Sequence, residues 1–330
     1  MIKQATLKHS LVIPPNKKPR TPLATYHEFI KQNSIPIFQV FQDKTDFETL
    51  EQKLIEQPQD YGVVASFGHM IPDKIIDKFD KGMYVIHPSL LPKYRGACPI
   101  QHAILNREKE TGVSIIEISK NKFDAGAILW QYKCQIDEST QFGPLSQLLA
   151  EQGGIGMLEV LSNLEKHKEN AIIQDPTKVT SAKMIPSEFG LMEFQELDAL
   201  SMQVKFNALY DSNTRPKAIL LKGFEDKPFN QTPVYFDQLK MVPSVHIDEI
   251  LNGQLKDVND IPAGSLYINS SKFKDMLLIK CQGDKYQWVF AKEITLTGYG
   301  KMKIVDFNQK ILQNKSFVKQ ANPQFKFQLS

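Results

Sequence analysis

The chain is poor in the features that mark several common protein classes. Its 330 residues include only three cysteines, Cys98, Cys134 and Cys281, and no CxxC pair, so we expect neither a disulfide framework nor a zinc site. No apolar run approaches the roughly 18 residues that a membrane helix needs, so we expect no membrane insertion. A glycine-rich phosphate loop is also lacking. These absences favour a globular protein of a reducing compartment, such as the cytosol, the mitochondrial matrix or the nucleus.

A large excess of one charge is missing as well. The chain has 40 basic and 37 acidic residues, which give a net charge of +3. This balance is compatible with a polyanionic partner and equally with a near-neutral enzyme. The first 20 residues contain lysines but few serines, so a targeting signal is weak or missing.

Two regions of different character follow one another along the chain. In residues 1–165, short apolar runs such as Met83–His87 alternate with amphipathic helical patterns. This alternation predicts an α/β domain with a mostly parallel, Rossmann-like sheet. The polar stretch 166–186 contains the turn signal Asp175-Pro176 and is predicted to be a linker. Residues 187–330 contain mainly short strand patterns and predict a smaller β domain of barrel type.

Two clusters of residues in the first domain could carry chemistry. In the first, His87 ends a predicted strand and is followed by a loop of prolines, serine and glycine. In the second, Asp124 stands next to a turn glycine inside an apolar neighbourhood. A lone histidine is more often structural, and a lone turn aspartate usually stabilises its turn. Together, on successive loops at the carboxyl ends of strands, they could form an acid–base pair in which Asp124 orients the imidazole.

The order of motifs in this region resembles the formyltransferase family that uses 10-formyltetrahydrofolate. The family pattern runs Asn-x-His-x-Ser-Leu-Leu-Pro, then Arg-Gly, Pro-Ile, Thr-Gly-Val-Thr and Asp-x-Gly. The segments 63–68 and 122–124 are similar to the mitochondrial methionyl-tRNA branch of this family. The residues that match the pattern are His87, Ser89, Leu90, Leu91, Pro92, Arg95, Gly96, Pro99, Ile100, Thr111, Gly112, Val113, Ser114, Asp124 and Gly126.

The resemblance implies a function and a set of site residues. It implies transfer of a formyl group from 10-formyltetrahydrofolate to the amino group of initiator methionyl-tRNA, without a metal, in the mitochondrial matrix. A protonated His87 would stabilise the oxyanion, and Asp124 would hold His87 and take up protons. The implied substrate-binding residues are Ser66, Phe67, Gly68, Ser89, Leu90, Leu91, Pro92, Arg95 and Gly96. An OB-like barrel at 187–330 and a basic loop with Lys17, Lys18 and Arg20 are implied to bind the tRNA. We expect a monomer, with association to the mitochondrial ribosome as a further partner.

Two departures from the family pattern support a rival interpretation. The family asparagine falls on Val85, which has no hydrogen-bond donor. The Gly-Thr-Pro loop that opens the family is not found before Thr21, so we expect the first βα unit to be missing. The rival is therefore a catalytically impaired or inactive descendant that acts as a tRNA- or ribosome-associated binding protein. Glycinamide ribonucleotide and sugar formyltransferases fit less well, because neither explains a second β domain with this spacing.

Overall fold

The computed structural model describes most of the chain beyond residue 43. The described residues are 11–13, 37–39, 44–68, 70–120, 122–224, 227–244, 246–247, 261, 263–268, 275–284, 286–307 and 309. The basic residues Lys17, Lys18 and Arg20 lie outside this part. The chain forms two compact units. Unit 1 consists of Met1–Ala97, Gly112–Lys133 and Ala150–Ser181, and unit 2 of Cys98–Thr111, Cys134–Leu149 and Ala182–Ser330.

The strands of the first half form two sheets. Strands β1 (Leu11–Ile13) and β2 (Ile37–Gln39) pair in parallel. A four-stranded sheet follows, in which β3 (Gly62–Ala65), β4 (Met83–His87), β5 (Glu110–Glu117) and β6 (Ile128–Gln135) lie in this order.

This four-stranded sheet is mixed, whereas the sequence predicted a mostly parallel sheet for this domain. Strands β3 and β4 are parallel, with Ala65 opposite Ile86, whereas β4 and β5 are antiparallel, with His87 opposite Ser114. Both β4 and β5 are apolar runs buried on both faces, and such burial produces the same residue pattern for either strand direction. Strand direction was therefore not readable from these runs.

Alternate side chains of β4 point to opposite faces of the sheet. Tyr84 and Ile86 belong to a core with Met157 and Val160 of a long helix, whereas Val85 packs against a second cluster on the other face. The helices are α1 (Lys44–Glu56), α2 (Asp73–Ile76), α3 (Pro99–Leu105), α4 (Phe142–Ser162), α5 (Leu164–Glu169), α6 (Ala199–Leu209) and α7 (Ile304–Phe307).

Two glycines allow α4 to approach the sheet closely. A Cβ on Gly153 would lie 2.5 Å from Ile86 Cγ2, and one on Gly156 would lie 2.4 Å from the Trp130 ring. Such distances are shorter than any van der Waals contact between carbon atoms. The glycines of the 153–156 segment are therefore explained by helix–sheet packing.

Unit 2 contains two antiparallel four-stranded sheets. The first has the order β7-β8-β13-β14 and the second β9-β12-β11-β10. Helices α3 and α6 pack against each other in this unit. The strands are β7 (Lys217–Phe224), β8 (Lys227–Phe236), β9 (Lys240–Met241), β10 (Leu266–Ile268), β11 (Leu277–Lys280), β12 (Trp288–Ala291), β13 (Glu293–Leu296) and β14 (Gly300–Lys303).

The two sheets of unit 2 share one core. Val234 and Ile294 from one sheet and Leu277 and Val289 from the other belong to the same cluster of buried side chains. Within the described residues the strands do not close into a barrel. The sequence predicted the strands from local patterns, but closure depends on pairing between edge strands that are far apart in the chain.

None of the helices in the described ranges is long and apolar enough to cross a membrane. The same part of the chain contains no group of three or more His, Cys, Asp or Glu side chains that could hold a metal ion.

Candidate active site

The buried histidine at the end of β4 is held in one orientation by the backbone. His87 is 4% exposed, and its ring nitrogen Nε2 lies 2.9 Å from the carbonyl oxygen of Tyr94. A carbonyl can only accept, so Nε2 must carry the proton that it donates. In the neutral imidazole, Nδ1 is then unprotonated and has its lone pair available.

The acid predicted as its partner lies beside this second nitrogen. Asp124 Oδ1 is 3.5 Å from His87 Nδ1, and Oδ2 accepts a 2.9 Å hydrogen bond from the backbone N–H of Gly96. The structure therefore brings these two predicted residues together. The 3.5 Å separation exceeds an N–H···O hydrogen bond, which fits an unprotonated Nδ1 facing a carboxylate.

Burial determines the charge of the histidine at rest. Desolvation lowers the pKa of His87, the nearby Arg95 guanidinium lowers it further, and the Asp124 carboxylate and the Tyr94 carbonyl oppose this effect. Because the pKa falls below its ordinary value of 6.5, the imidazole is neutral at pH 7. At rest, Nδ1 is therefore a proton acceptor, and the carboxylate beside it can stabilise the imidazolium that forms when it takes up a proton.

The turn that carries Asp124 depends on a close approach of two backbones. Asp124 has a φ of 51°, in the left-handed region. Two residues later, a Cβ on Gly126 would lie 1.6 Å from the carbonyl oxygen of Glu117. Only glycine fits this position, which explains the glycine of the Asp-x-Gly motif.

The loop after His87 is fixed by a buried serine of β5. Ser114 Oγ accepts from the backbone N–H of Leu91 at 3.1 Å and donates to the carbonyl of Ser89 at 2.6 Å. Gln131 Nε2 donates to both Ser114 Oγ at 2.8 Å and the Leu91 carbonyl at 3.0 Å. Ser89 itself is fully buried, and its hydroxyl donates to the carbonyl of Lys93. Ser89 and Leu91 therefore shape the loop.

A segment within the predicted linker completes the site. Thr180 Oγ1 accepts from the N–H of Tyr94 at 2.8 Å, and its carbonyl accepts from the N–H of Arg95 at 2.9 Å. Gln174 hydrogen-bonds both to Arg95 and to the Asp124 turn. Sequence reasoning missed both residues, because an isolated glutamine and threonine in a polar stretch carry no periodic signal.

The remaining predicted residues are distributed as follows. Ser66, Phe67 and Gly68 directly follow β3, and the parallel pairing of β3 with β4 brings the ends of these strands to the same sheet edge. Val85 lies two residues before His87 and on the same face of β4. Its side chain packs with Leu91, Ile116 and Ile128, so the altered position is an apolar contact beside the histidine.

Comparison with known proteins gives the following relatives. A family model described as "Formyl transferase" matches residues 6–161. The methionyl-tRNA formyltransferase of Coxiella burnetii (strain RSA 331 / Henzerling II) is 32% identical over 225 residues, which cover 67% of this chain and 68% of that protein. The methionyl-tRNA formyltransferase of Thermotoga neapolitana is 39% identical over 172 residues, which cover 52% of this chain and 54% of that protein.

Among solved structures, HypX from Aquifex aeolicus in complex with tetrahydrofolic acid has a TM-score of 0.60 and 14% sequence identity. The match covers 93% of this chain and 48% of HypX, so the chain spans about half the length of that protein. At this identity the likeness shows a shared fold.

Proposed function

Because this chain belongs to the formyl transferase family, we propose that it transfers a formyl group from 10-formyltetrahydrofolate to the amino group of methionyl-tRNA. The observation that carries the proposal is the buried pair of His87 and Asp124, with an unprotonated Nδ1 facing the carboxylate. Two methionyl-tRNA formyltransferases among the relatives support the choice of acceptor.

In this reaction 10-formyltetrahydrofolate supplies the formyl group and leaves as tetrahydrofolate. Attack of the methionine amine on the formyl carbon requires the amine to lose a proton. Nδ1 of His87 accepts that proton, directly or through a water, and the Asp124 carboxylate stabilises the resulting imidazolium. The same proton can then pass to the nitrogen that leaves, so His87 ends the cycle neutral. The residues after β3 and β4, including Ser66 to Gly68 and Leu90 to Pro92, are proposed to hold the donor.

We propose that unit 2 is the OB-like domain that holds the tRNA. The pairing of β7, β8, β13 and β14 aligns Lys217, Tyr235, Thr295 and Lys301 in one row across the outer face of the sheet. The guanidinium of Arg215 lies 4.8 Å from the centroid of the Tyr235 ring. An aromatic ring among basic side chains is typical of surfaces that bind RNA backbones and bases.

This face carries more basic than acidic side chains. Arg215 and Lys301 pair with Asp237 at 3.3 and 3.2 Å, and Lys301 also pairs with Glu293. The side chains of Arg215 and Lys301 are 48% and 59% exposed, so both remain accessible to a phosphate backbone. The same proposal includes four expectations that rest on the family resemblance. They are tRNA binding by Lys17, Lys18 and Arg20, a mitochondrial location, a monomeric state and contact with the mitochondrial ribosome.

A second candidate is a tRNA-binding protein that has lost catalysis, and Val85 favours it. An apolar residue beside His87 supplies no donor to a developing oxyanion.

The test uses the full chain with 10-formyltetrahydrofolate and methionyl-tRNA, and compares wild type with His87→Ala and Asp124→Ala. Loss of at least about a hundredfold in kcat for each variant is expected for an acid–base pair. Affinity for tRNA should fall steeply with salt, because phosphate contacts release counterions. Salt-dependent tRNA binding without formyl transfer would select the second candidate, and absence of both activities would refute both.

A further inference from the structure

Gln174 uses its whole side-chain amide to connect the two loops of the active site. The residue is 7% exposed. Its Nε2 donates to the carbonyls of Asp124 and Gly126, each at 2.8 Å. Its Oε1 accepts from Arg95 Nε at 3.0 Å and from Arg95 Nη2 at 2.7 Å. One amide thus holds the Asp124 turn on one side and the loop after His87 on the other.

The hydrogen bonds to the turn act where the backbone is unfavourable. Asp124 has a Cβ and yet adopts a φ of 51°, a left-handed conformation that aspartate visits more readily than most residues but that is still less favourable than for glycine. Both carbonyls that Gln174 binds lie in this turn. Asp124 can therefore keep its carboxylate between Gly96 and His87 only while the turn is held in this conformation.

The hydrogen bonds to Arg95 involve a neutral acceptor. A glutamine oxygen fixes the guanidinium without cancelling its charge, whereas a carboxylate at this position would neutralise it. Arg95 therefore retains its positive charge near His87, where it favours the neutral imidazole that accepts a proton.

We propose that Gln174 is a positioning residue for formyl transfer, which acts by holding the Asp124 turn in register with His87 and by fixing Arg95 beside them. This inference rests on the proposed function. Gln174 is not expected to touch either substrate. Its effect on the reaction passes through Asp124 and Arg95, and this separates it from a residue that only stabilises the fold.

The test is a double-mutant cycle between Gln174→Met and Asp124→Asn. Methionine matches glutamine in length but makes neither set of hydrogen bonds. We expect Gln174→Met to lower the single-turnover rate by about ten- to a hundredfold, as small displacements of a catalytic group do. In the Asp124→Asn background the same change should lower the rate by a smaller factor, because the contribution through Asp124 is already gone and only that through Arg95 remains.

A second readout does not depend on activity. The titration of His87, followed by NMR of its ring nitrogens, should shift in Gln174→Met and should shift less when Asp124→Asn is already present. If the wild type forms no formyl-methionyl-tRNA, the proposed function fails, and the His87 titration in the four proteins alone decides whether Gln174 positions Asp124 beside His87. If Gln174→Met does not fold, Gln174→Glu replaces it. Glutamate loses the donor to the turn and, although it keeps an acceptor for Arg95, neutralises the Arg95 charge, so a loss of rate is again expected.

Gln203→Met is the matched control. Gln203 lies in unit 2 and also uses its amide for two backbone contacts, to the carbonyl of Glu138 and from the N–H of Met241. It should leave both the rate and the His87 titration unchanged. Equal losses from Gln174→Met with and without Asp124, or a wild-type rate and His87 titration in Gln174→Met, would overturn the proposal.

Discussion

Restoring an amide at position 85 should have opposite effects on stability and on rate. Val85 packs against Leu91, Ile116 and Ile128, so an asparagine there places a polar group against apolar neighbours. Burial of an amide without a partner costs about 1–3 kcal/mol in proteins. Typical domains have about 5–15 kcal/mol of stability, so Val85→Asn should remain folded.

The expected decrease in the activation free energy of formyl transfer is larger than this loss of folding stability. Residues 85 and 87 are two positions apart on β4 and point to the same face, about 7 Å apart along the strand. The side-chain amide would therefore project beside the histidine, where negative charge develops on the formyl oxygen. One preorganised donor of this kind changes kcat by about a hundred- to a thousandfold, or about 3–4 kcal/mol.

The assay compares single-turnover formylation by wild type, Val85→Asn and Val64→Asn, together with thermal unfolding of each. Val64 pairs with Val85 in the parallel register of β3 and β4, and is also half-buried. Val64→Asn should therefore reproduce the stability cost without the gain in rate. Wild-type turnover at an ordinary enzyme rate of about 1–1000 per second with no gain from asparagine would refute the reasoning, and so would an equal gain from Val64→Asn.

Three further outcomes follow from the site geometry. Because burial lowers the pKa of His87, the unfolded chain binds more protons than the folded protein as the pH falls below 6.5, so the stability of the fold should decrease in that range. His87→Gln should flatten this pH dependence of the melting temperature in thermal melts, and an unchanged profile would contradict the prediction. Gly126→Ala should destabilise the protein by at least about 1–3 kcal/mol in urea unfolding, because the added Cβ meets the Glu117 carbonyl. Gly154→Ala lies inside α4 with no atom within 4 Å of its added Cβ and should stabilise the protein by about 0.5–1 kcal/mol. A similar effect of both substitutions would contradict the close approach of residue 126 to Glu117. Ser114→Ala should cost about 1–3 kcal/mol in the same assay, because Leu91 N–H and Gln131 Nε2 lose a shared acceptor; a neutral substitution would show that water replaces it.

The parts of the structure that were predictable are those with strong local signals. The bounds of β4 follow from an apolar run stopped by Pro88. His87 and Asp124 were expected to meet, because each lies in a short motif next to the end of a strand, and the structure places them together.

The parts that were not predictable depend on distant partners. The antiparallel direction of β5 leaves no trace in a strand that is buried on both faces. Gln174 lies 79 residues after Arg95 and 50 after Asp124, and its role exists only once the chain has folded back on itself. The charge of His87 could not be read either, since it depends on the burial of the ring and on the Tyr94 carbonyl.

Strands β12 and β13 are separated by Lys292 alone, although they belong to different sheets of unit 2. Local unfolding of β12 must therefore also displace β13. The strands paired with β12 and those paired with β13 then lose hydrogen bonds together. Amide protons of Val289 and Ile294, which share a core, should exchange with solvent in one cooperative event with a common free energy of opening. Because one residue connects them, the two sheets should unfold as one cooperative unit. A substitution that destabilises either sheet should therefore lower the stability of both.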